Sequence, residues 1–111
     1  YDHFMYEIDG LEALQYTRYG TEQHYNWHWD VQFGWAEWER KISFVVSLSD
    51  PSEYEGGEFE ICYNGNFEDT AKIKPTRGDI IYFASWMPHR VLPITRGERK
   101  SLVGWIMGKR Q

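Results

Sequence analysis

One stretch of the chain, residues 24–30, reads His24-Tyr25-Asn26-Trp27-His28-Trp29-Asp30. Aromatic and polar residues alternate in it, which is the period-two pattern of a β-strand with two chemically different faces. Because alternate side chains of a strand project to the same face, we expect His28 and Asp30 to point together. Trp29 should turn away, either into packing or into contacts that support the metal ligands. A strand with a polar inward face predicts a functional site.

A histidine and a carboxylate on one strand face form half of a metal site. A further histidine, His89, follows a turn far downstream of His28 and Asp30. Two histidines and one carboxylate on one face of an ion suit non-haem Fe(II) and leave coordination positions open. A His-x-Asp pair alone is a weak signal, so the prediction depends on a fold that brings His89 to the pair.

The rest of the chain predicts short strands separated by turns and no convincing helix. Residues 42–48 are apolar on both faces and predict a central strand, and Asn64-Gly65-Asn66 predicts a hairpin turn. About eight such strands are typical of a sandwich, barrel or jelly roll. We expect residues 31–41 to form a loop or one helical turn, which is either a surface connection or an aromatic lid formed by Trp35 or Trp38. The other predicted strands cover residues 13–19, 24–30, 58–63, 67–73, 80–83 and 99–107.

Length and composition limit the class of protein. The length of 111 residues predicts a single domain over residues 1–111. The chain starts at Tyr1 without an initiating methionine. We therefore expect it to be the core of a slightly longer protein, with N-terminal flanking elements missing from this sequence. The net charge of −5, without a block of like charges, argues against a nucleic-acid or membrane footprint.

Cysteine usage and hydropathy point to a compartment. The single cysteine, Cys62, cannot form an intrachain disulfide, and we expect it to be a small buried hydrophobe. No apolar run approaches the length of a signal core or a membrane span. The sequence therefore predicts a cytoplasmic protein.

A longer set of residues stands in a characteristic order along nearly the whole chain. It resembles the 2-oxoglutarate- and Fe(II)-dependent oxygenases, most closely their prolyl 4-hydroxylase-like branch. As an ordered set these residues are highly specific for that family. They are Tyr19, Tyr25, His28 and Asp30, then Gly56-Gly57-Glu58, Gly78-Asp79, His89, Val91 and Pro93, and last Arg99 within residues 97–102.

The resemblance implies a double-stranded β-helix, or jelly roll, in which His28, Asp30 and His89 bind Fe(II). The co-substrate 2-oxoglutarate would chelate the iron and reach Arg99 with its far carboxylate, O2 would be the oxidant, and ascorbate is an optional reductant. An arginine fork matches a carboxylate with two hydrogen bonds, which independently supports Arg99.

Three more residues complete the implied co-substrate pocket. Ser101 shares a strand face with Arg99 and can donate one more hydrogen bond, and Tyr19 can do so from the opposite wall. Tyr25 has the wrong strand parity to face the metal with His28 unless a β-bulge intervenes. His24 has the right parity, yet the resemblance assigns it no role.

The reaction implied by the resemblance is hydroxylation of an unactivated C–H bond, with release of succinate and CO2. A prolyl or other side chain of a peptide or protein is the leading substrate, and a small molecule or nucleobase is the alternative. A non-catalytic jelly roll that binds a carbohydrate or another ligand through its tryptophans is the competing hypothesis. Four basic residues are candidates for lining a substrate groove: Arg18, Lys74, Arg77 and Arg90.

Overall fold

The computed structural model describes residues 10–11, 14–30 and 38–109. Within these ranges there is no α-helix, only one turn of 3-10 helix at Pro51–Glu53, so the predicted all-β class is confirmed. No helix in the described part of the chain has the length and apolar character needed to cross a membrane. The strands are β1 Gly10–Leu11, β2 Gln15–Tyr19, β3 Tyr25–His28, β4 Trp38–Ser47, β5 Tyr54–Gly56, β6 Phe59–Ile61, β7 Ala71–Ile73, β8 Ile80–Ala84, β9 His89–Val91, β10 Ile94–Gly97 and β11 Arg99–Lys109.

The larger sheet is built around the two longest strands, β4 and β11. They pair antiparallel, and β8 follows β4 on the far side. Both β1 and β2 pair with β11, where Arg99 is opposite Tyr19 and Ser101 is opposite Thr17. This sheet therefore brings the last strand, which carries Arg99, against the strand that carries Tyr19.

The smaller sheet has the order β3-β9-β6-β7, and all its pairs are antiparallel. A separate two-stranded ribbon joins β5 to β10. The hydrophobic core contains Val45 and Phe83 from the larger sheet and Phe59, Ile61 and Val91 from the smaller one. The core therefore lies between two antiparallel sheets, as expected for the predicted jelly roll.

The prediction of about eight strands was too low, because eleven are present in the described ranges. The additional ones are short strands formed by long-range pairing, such as Gly10–Leu11 and Ile94–Gly97, and local sequence does not reveal them.

The prediction of a loop or helical turn at residues 31–41 was wrong for residues 38–41, which begin β4. The register of β4 against β11 shifts there, since Ile106 pairs with Ile42 and Met107 with Arg40. The extra residue between them disrupts the alternation by which a strand is recognised. Trp38 is the first residue of β4, and Trp35 lies outside the described residues. The lid role of these tryptophans stays a prediction.

Strands were also predicted too long around Asn64-Gly65-Asn66. β6 ends at Ile61 and β7 begins at Ala71, so the turn belongs to a longer loop. The side chains of Asn64 and Asn66 accept hydrogen bonds from backbone amides two residues on, which is typical of Asx turns. Phe67 consequently lies in this loop and is exposed.

Candidate metal and co-substrate site

The two candidate histidine ligands face each other across the smaller sheet. His28 of β3 is the register partner of His89 of β9, and their ring centroids are 4.1 Å apart. The next register pair is Tyr25 with Val91, so β3 contains one residue more than β9 between the two pairs. This bulge places Tyr25 on the same side as His28, with ring centroids 3.9 Å apart.

Both histidines are held in the tautomer that suits metal binding. Nδ1 of His28 lies 2.8 Å from the carbonyl oxygen of Asn26, and Nδ1 of His89 lies 2.9 Å from that of Met87. Because a carbonyl oxygen can only accept, each Nδ1 carries the hydrogen and each Nε2 keeps its lone pair. Such backbone contacts also fix the ring orientation of metal-binding histidines.

Asp30 follows the end of β3 and is attached to the larger sheet. Its backbone amide donates to the carbonyl of Ser85 at 2.9 Å, and its Oδ2 accepts from Ser43 Oγ at 2.6 Å and from Trp105 Nε1 at 2.9 Å. Its Oδ1 lies 3.2 Å from Nε2 of His89 and 3.6 Å from Nε2 of His28. The three ligand candidates are therefore held in place by contacts to both sheets.

The electrostatics favour a charged carboxylate at Asp30. Burial alone would raise the pKa of Asp30, but the adjacent His89 ring and the hydrogen bonds from Ser43 and Trp105 lower it to about 2. Burial lowers the pKa of His28, an effect that the Asn26 carbonyl and the Asp30 charge oppose. This charge state is the one that metal ligation requires.

The three side chains form a compact donor set. Each offers one ligand atom, and the ligand atoms of His28, Asp30 and His89 lie within 4.8 Å of one another. Two imidazole nitrogens and one carboxylate oxygen on one side of an ion, with open positions opposite, fit non-haem Fe(II). The donor chemistry of this chain therefore matches the metal that its sequence suggests.

A cavity of about 350 Å³ connects the donor set with Arg99. Arg99 is only 4% exposed, and its Nη1 lies 3.5 Å from Oγ of Ser101, a weak contact. Within the described ranges no carboxylate lies within ion-pairing distance of it. Burial lowers the pKa of Arg99, and the neighbouring Tyr54 and Tyr19 oppose that shift. A buried guanidinium without an acidic partner fits an anionic ligand such as a co-substrate carboxylate.

Hydroxyl groups surround the Arg99 end of the cavity. The hydroxyls of Thr17 and Ser101 are 2.6 Å apart, and Tyr19 also lines the cavity. The buried hydroxyl of Tyr54 lies next to the guanidinium of Arg99. Burial raises the pKa of Tyr19, which Arg99 partly opposes, so its phenol is a neutral donor at neutral pH. The fit with a carboxylate ligand thus extends beyond Arg99.

The structure brings together every residue of the predicted site. The cavity is lined by His28, Asp30, His89, Arg99, Tyr19, Tyr25 and Ser101. Of the two roles expected for Trp29, burial in packing was wrong, because Trp29 lies beyond the end of β3, is 53% exposed and lines the cavity. Its role in supporting the metal ligands stays a prediction. His24 is exposed and lies outside the donor set, because the strict alternation predicted for residues 24–30 is broken by the bulge.

The four basic residues suggested for a groove do not line this cavity. Instead, each has a partner elsewhere in the protein. Arg18 pairs with Glu98, Arg77 with Glu53 and Arg90 with Glu60, while Lys74 donates to the carbonyl of Tyr54.

Sequence reasoning missed three polar residues at the site. Thr17 has the same strand parity as Tyr19, so the alternation of β2 could have revealed it. Ser43 and Trp105 contact Asp30 as direct register partners on β4 and β11, a pairing that no local pattern encodes. The expected burial of Cys62 is confirmed, since it is 0% exposed.

Comparison with known proteins adds a family to this geometry. Residues 14–107 match the model of the 2OG-Fe(II) oxygenase superfamily. A PKHD-type hydroxylase from Synechococcus sp. (strain CC9605) is 34% identical over 96 residues, which cover 86% of this chain and 42% of that protein. A PKHD-type hydroxylase from Maricaulis maris (strain MCS10) is 43% identical over 65 residues, covering 59% of this chain and 28% of that protein.

A solved structure shows the same fold. A prolyl-4-hydroxylase from Pseudomonas putida superposes with a TM-score of 0.73 and 26% identity, covering 94% of this chain and 53% of that chain. This chain spans less than half the length of the two curated hydroxylases it matches. The match to the family model nevertheless covers most of its residues and all seven predicted site residues. The chain belongs to the 2OG-Fe(II) oxygenase superfamily.

Proposed function

We propose that residues 1–111 are the catalytic core domain of an Fe(II)- and 2-oxoglutarate-dependent dioxygenase. His28, Asp30 and His89 are its iron ligands, and Arg99 binds the far carboxylate of 2-oxoglutarate. The observation that carries this proposal is that one cavity holds a donor set able to bind a metal and a buried arginine that has no acidic partner among the described residues. One chelating dicarboxylate can occupy both ends of such a cavity.

The substrate we propose is a prolyl or other side chain of a peptide or protein. Support comes from the Pseudomonas putida neighbour, which is a prolyl-4-hydroxylase. Bound Fe(II) would supply the oxidising chemistry with O2 as the oxidant: one oxygen atom would enter the substrate, and the other would enter 2-oxoglutarate as it is converted to succinate and CO2. The protein need not supply an acid or base, so its residues act by ligation, orientation and exclusion of side reactions.

The residues of the chain have separable tasks in this mechanism. The Nδ1 hydrogen bonds of the two histidines keep their Nε2 atoms directed at the metal position. Arg99, with the hydroxyls of Thr17, Ser101 and Tyr19, orients the co-substrate from the opposite end. Tyr25, brought in by the bulge of β3, lies beside His28 and closes the cavity on that side.

The decisive experiment measures succinate formed from 2-oxoglutarate by the Fe(II)-loaded protein in air, together with a screen of a peptide library for a mass gain of one oxygen atom. We expect succinate from the wild type and none from His28→Ala, Asp30→Ala or His89→Ala. His24→Ala is the matched control, because this exposed histidine is outside the donor set. Absence of succinate from metal-loaded wild type would contradict the proposal and favour a non-catalytic ligand-binding jelly roll.

A further inference from the structure

The two oxygens of the Asp30 carboxylate have different surroundings. Oδ1 faces the Nε2 atoms of His28 and His89, at 3.6 Å and 3.2 Å. Oδ2 accepts hydrogen bonds from Ser43 and Trp105 at 2.6 Å and 2.9 Å, in a position that is 8% exposed. Two short, buried hydrogen bonds leave Oδ2 little capacity for a third partner.

The donors to Oδ2 are themselves held in place. Ser43 and Trp105 are direct register partners on the inward face of the larger sheet. Oγ of Ser43 lies 2.8 Å from Oγ of Ser85, and since Ser43 gives its hydrogen to Asp30, the Ser85 hydroxyl donates to Ser43. The guanidinium of Arg40 packs over the Trp105 ring at 3.8 Å. Both donors are therefore constrained before any ligand binds.

We propose that Ser43 and Trp105 are positioning residues that restrict Asp30 to binding the metal through one oxygen. This inference rests on the proposed metal site. A carboxylate can bind a metal through one oxygen or both, and the second oxygen takes a further coordination position. Engaging Oδ2 in hydrogen bonds keeps that position open for 2-oxoglutarate or oxygen. The hydrogen bonds from Ser43 and Trp105 thus keep a coordination position of the metal open, and they do not increase the affinity of the site for the ion.

Two variants remove the donors separately. Trp105→Phe keeps the ring but removes the Nε1 hydrogen, and Ser43→Ala removes the hydroxyl. We expect the Co(II) affinity of each variant to be retained or increased, because Asp30 gains a second ligating oxygen. The affinity of the Co(II)-loaded protein for 2-oxoglutarate should fall about 10-fold, equivalent to about 1.4 kcal/mol, because Oδ2 of Asp30 then occupies a coordination position that 2-oxoglutarate needs.

The measurements are calorimetric titrations of metal and then 2-oxoglutarate, with the visible absorption of bound Co(II) as a report on coordination number. The matched controls are Ser47→Ala, a buried serine of the same strand that donates to the Ser49 carbonyl, and Trp86→Phe, an exposed tryptophan outside the cavity. Both should leave the two affinities and the Co(II) spectrum unchanged.

The outcomes separate this inference from the proposed function. Unchanged 2-oxoglutarate affinity and spectra in both variants would overturn the positioning role while leaving the metal site intact. Loss of Co(II) affinity together with 2-oxoglutarate affinity would also overturn it, because that pattern indicates structural damage. Failure of the wild type to bind Co(II) would contradict the proposed metal site itself.

Discussion

Arg99 is a buried cation whose nearest groups are neutral hydroxyls. Ser101, Tyr19 and Tyr54 surround it, and no carboxylate of the described ranges pairs with it. A buried charge without an opposite charge beside it lowers the stability of the folded protein, and an anionic ligand would offset this loss. The guanidinium is also planar, so a bound carboxylate can accept two parallel hydrogen bonds from it.

Replacing Arg99 by lysine should therefore weaken co-substrate binding without removing the metal site. The ammonium group keeps the charge but loses the two-pronged geometry. We expect the KM for 2-oxoglutarate to rise about 10- to 100-fold, the equivalent of one strong charge-assisted hydrogen bond. Steady-state kinetics with varied 2-oxoglutarate measure this change.

The control for Arg99→Lys is Arg96→Lys on the neighbouring strand. Arg96 is exposed and forms an ion pair with Glu55 at the surface. Its replacement should leave the KM unchanged. A normal KM in Arg99→Lys would place the far carboxylate of the co-substrate against other residues.

At the scale of single residues, the sequence predicted the chemically distinctive side chains and missed the generic ones. The order of four such residues along the chain predicted that they meet in one cavity. They are His28, Asp30, His89 and Arg99. The roles assigned to them remain predictions. The position of Tyr25 in the cavity depends on a bulge in β3, and the contacts of Ser43 and Trp105 with Asp30 depend on cross-strand pairing. Local sequence reveals neither feature.

A buried ion pair joins three elements of the smaller sheet. Glu60 of β6 accepts hydrogen bonds from Arg90 of β9 and from Thr70, the residue before β7. Burial raises the pKa of Glu60, but these hydrogen bonds and the charges of Arg90 and Lys72 outweigh it and lower the pKa. Arg90 also packs over the ring of Trp27 on β3, at 4.6 Å.

Glu60→Gln should destabilise the protein in a pH-dependent way. A carboxyl group with a lowered pKa in the folded state stabilises that state above its unfolded pKa, and loses this effect as pH falls through the folded value. We expect the variant to lose about 1–3 kcal/mol of unfolding free energy near neutral pH. The difference from wild type should shrink below about pH 4, as measured by urea unfolding.

Glu55→Gln is the control for this ionisation effect. Its carboxylate belongs to an exposed pair with Arg96, and such pairs contribute ~0–1 kcal/mol. A stability gap for Glu60→Gln that stays constant between neutral and acidic pH would show that lost packing, rather than ionisation, is responsible.

Gly97 lies at the end of β10, immediately before the strand that carries Arg99. Its φ is +79°, and a Cβ there would lie 2.0 Å from the carbonyl oxygen of Glu53. The close approach of β10 to β5 therefore requires glycine.

Gly97→Ala should destabilise the fold by two additive effects. The left-handed backbone costs about 1–2 kcal/mol, and displacement of the neighbouring backbone costs a further ~1–3 kcal/mol. Gly65→Ala is a matched control, because Gly65 also has φ +79° but nothing lies within 4 Å of its Cβ position. Equal losses in urea unfolding of the two variants would contradict the proposed steric contact.

Among the elements, long strands with a clear pattern were predictable and short or irregular ones were not. The run at residues 42–48 and the strand beginning at Arg99 correspond to β4 and β11. The start of β4 was missed because an inserted residue breaks its alternation, and β7 was predicted to begin too early because Phe67 resembles a strand residue. In both cases tertiary pairing outweighs local preference.

The ligand candidates are held by contacts to different sheets. Metal binding would therefore depend on how the two sheets pack together. His28 and His89 belong to the smaller sheet, whereas Asp30 is hydrogen-bonded to the larger sheet through Ser43, Ser85 and Trp105. An ion bound by all three would link the sheets directly.

A divalent metal should therefore raise the thermal stability of the protein. A ligand at 100 times its dissociation constant stabilises the folded state by about 2.7 kcal/mol. Thermal unfolding with and without Mn(II), followed by chelator, measures the effect, and the chelator should reverse it. His89→Ala should show no metal-dependent shift, and an equal shift in that variant would mean that the metal binds elsewhere.

The direct pairing of His28 with His89 has a consequence for folding. Side chains alternate along a strand, so a slip of one residue between β3 and β9 would bring Trp27 or Trp29 opposite His89. Neither indole can serve as a metal ligand in place of the imidazole. Only the correctly aligned chain completes the donor set, so an ion bound there would stabilise the native register over registers shifted by one residue.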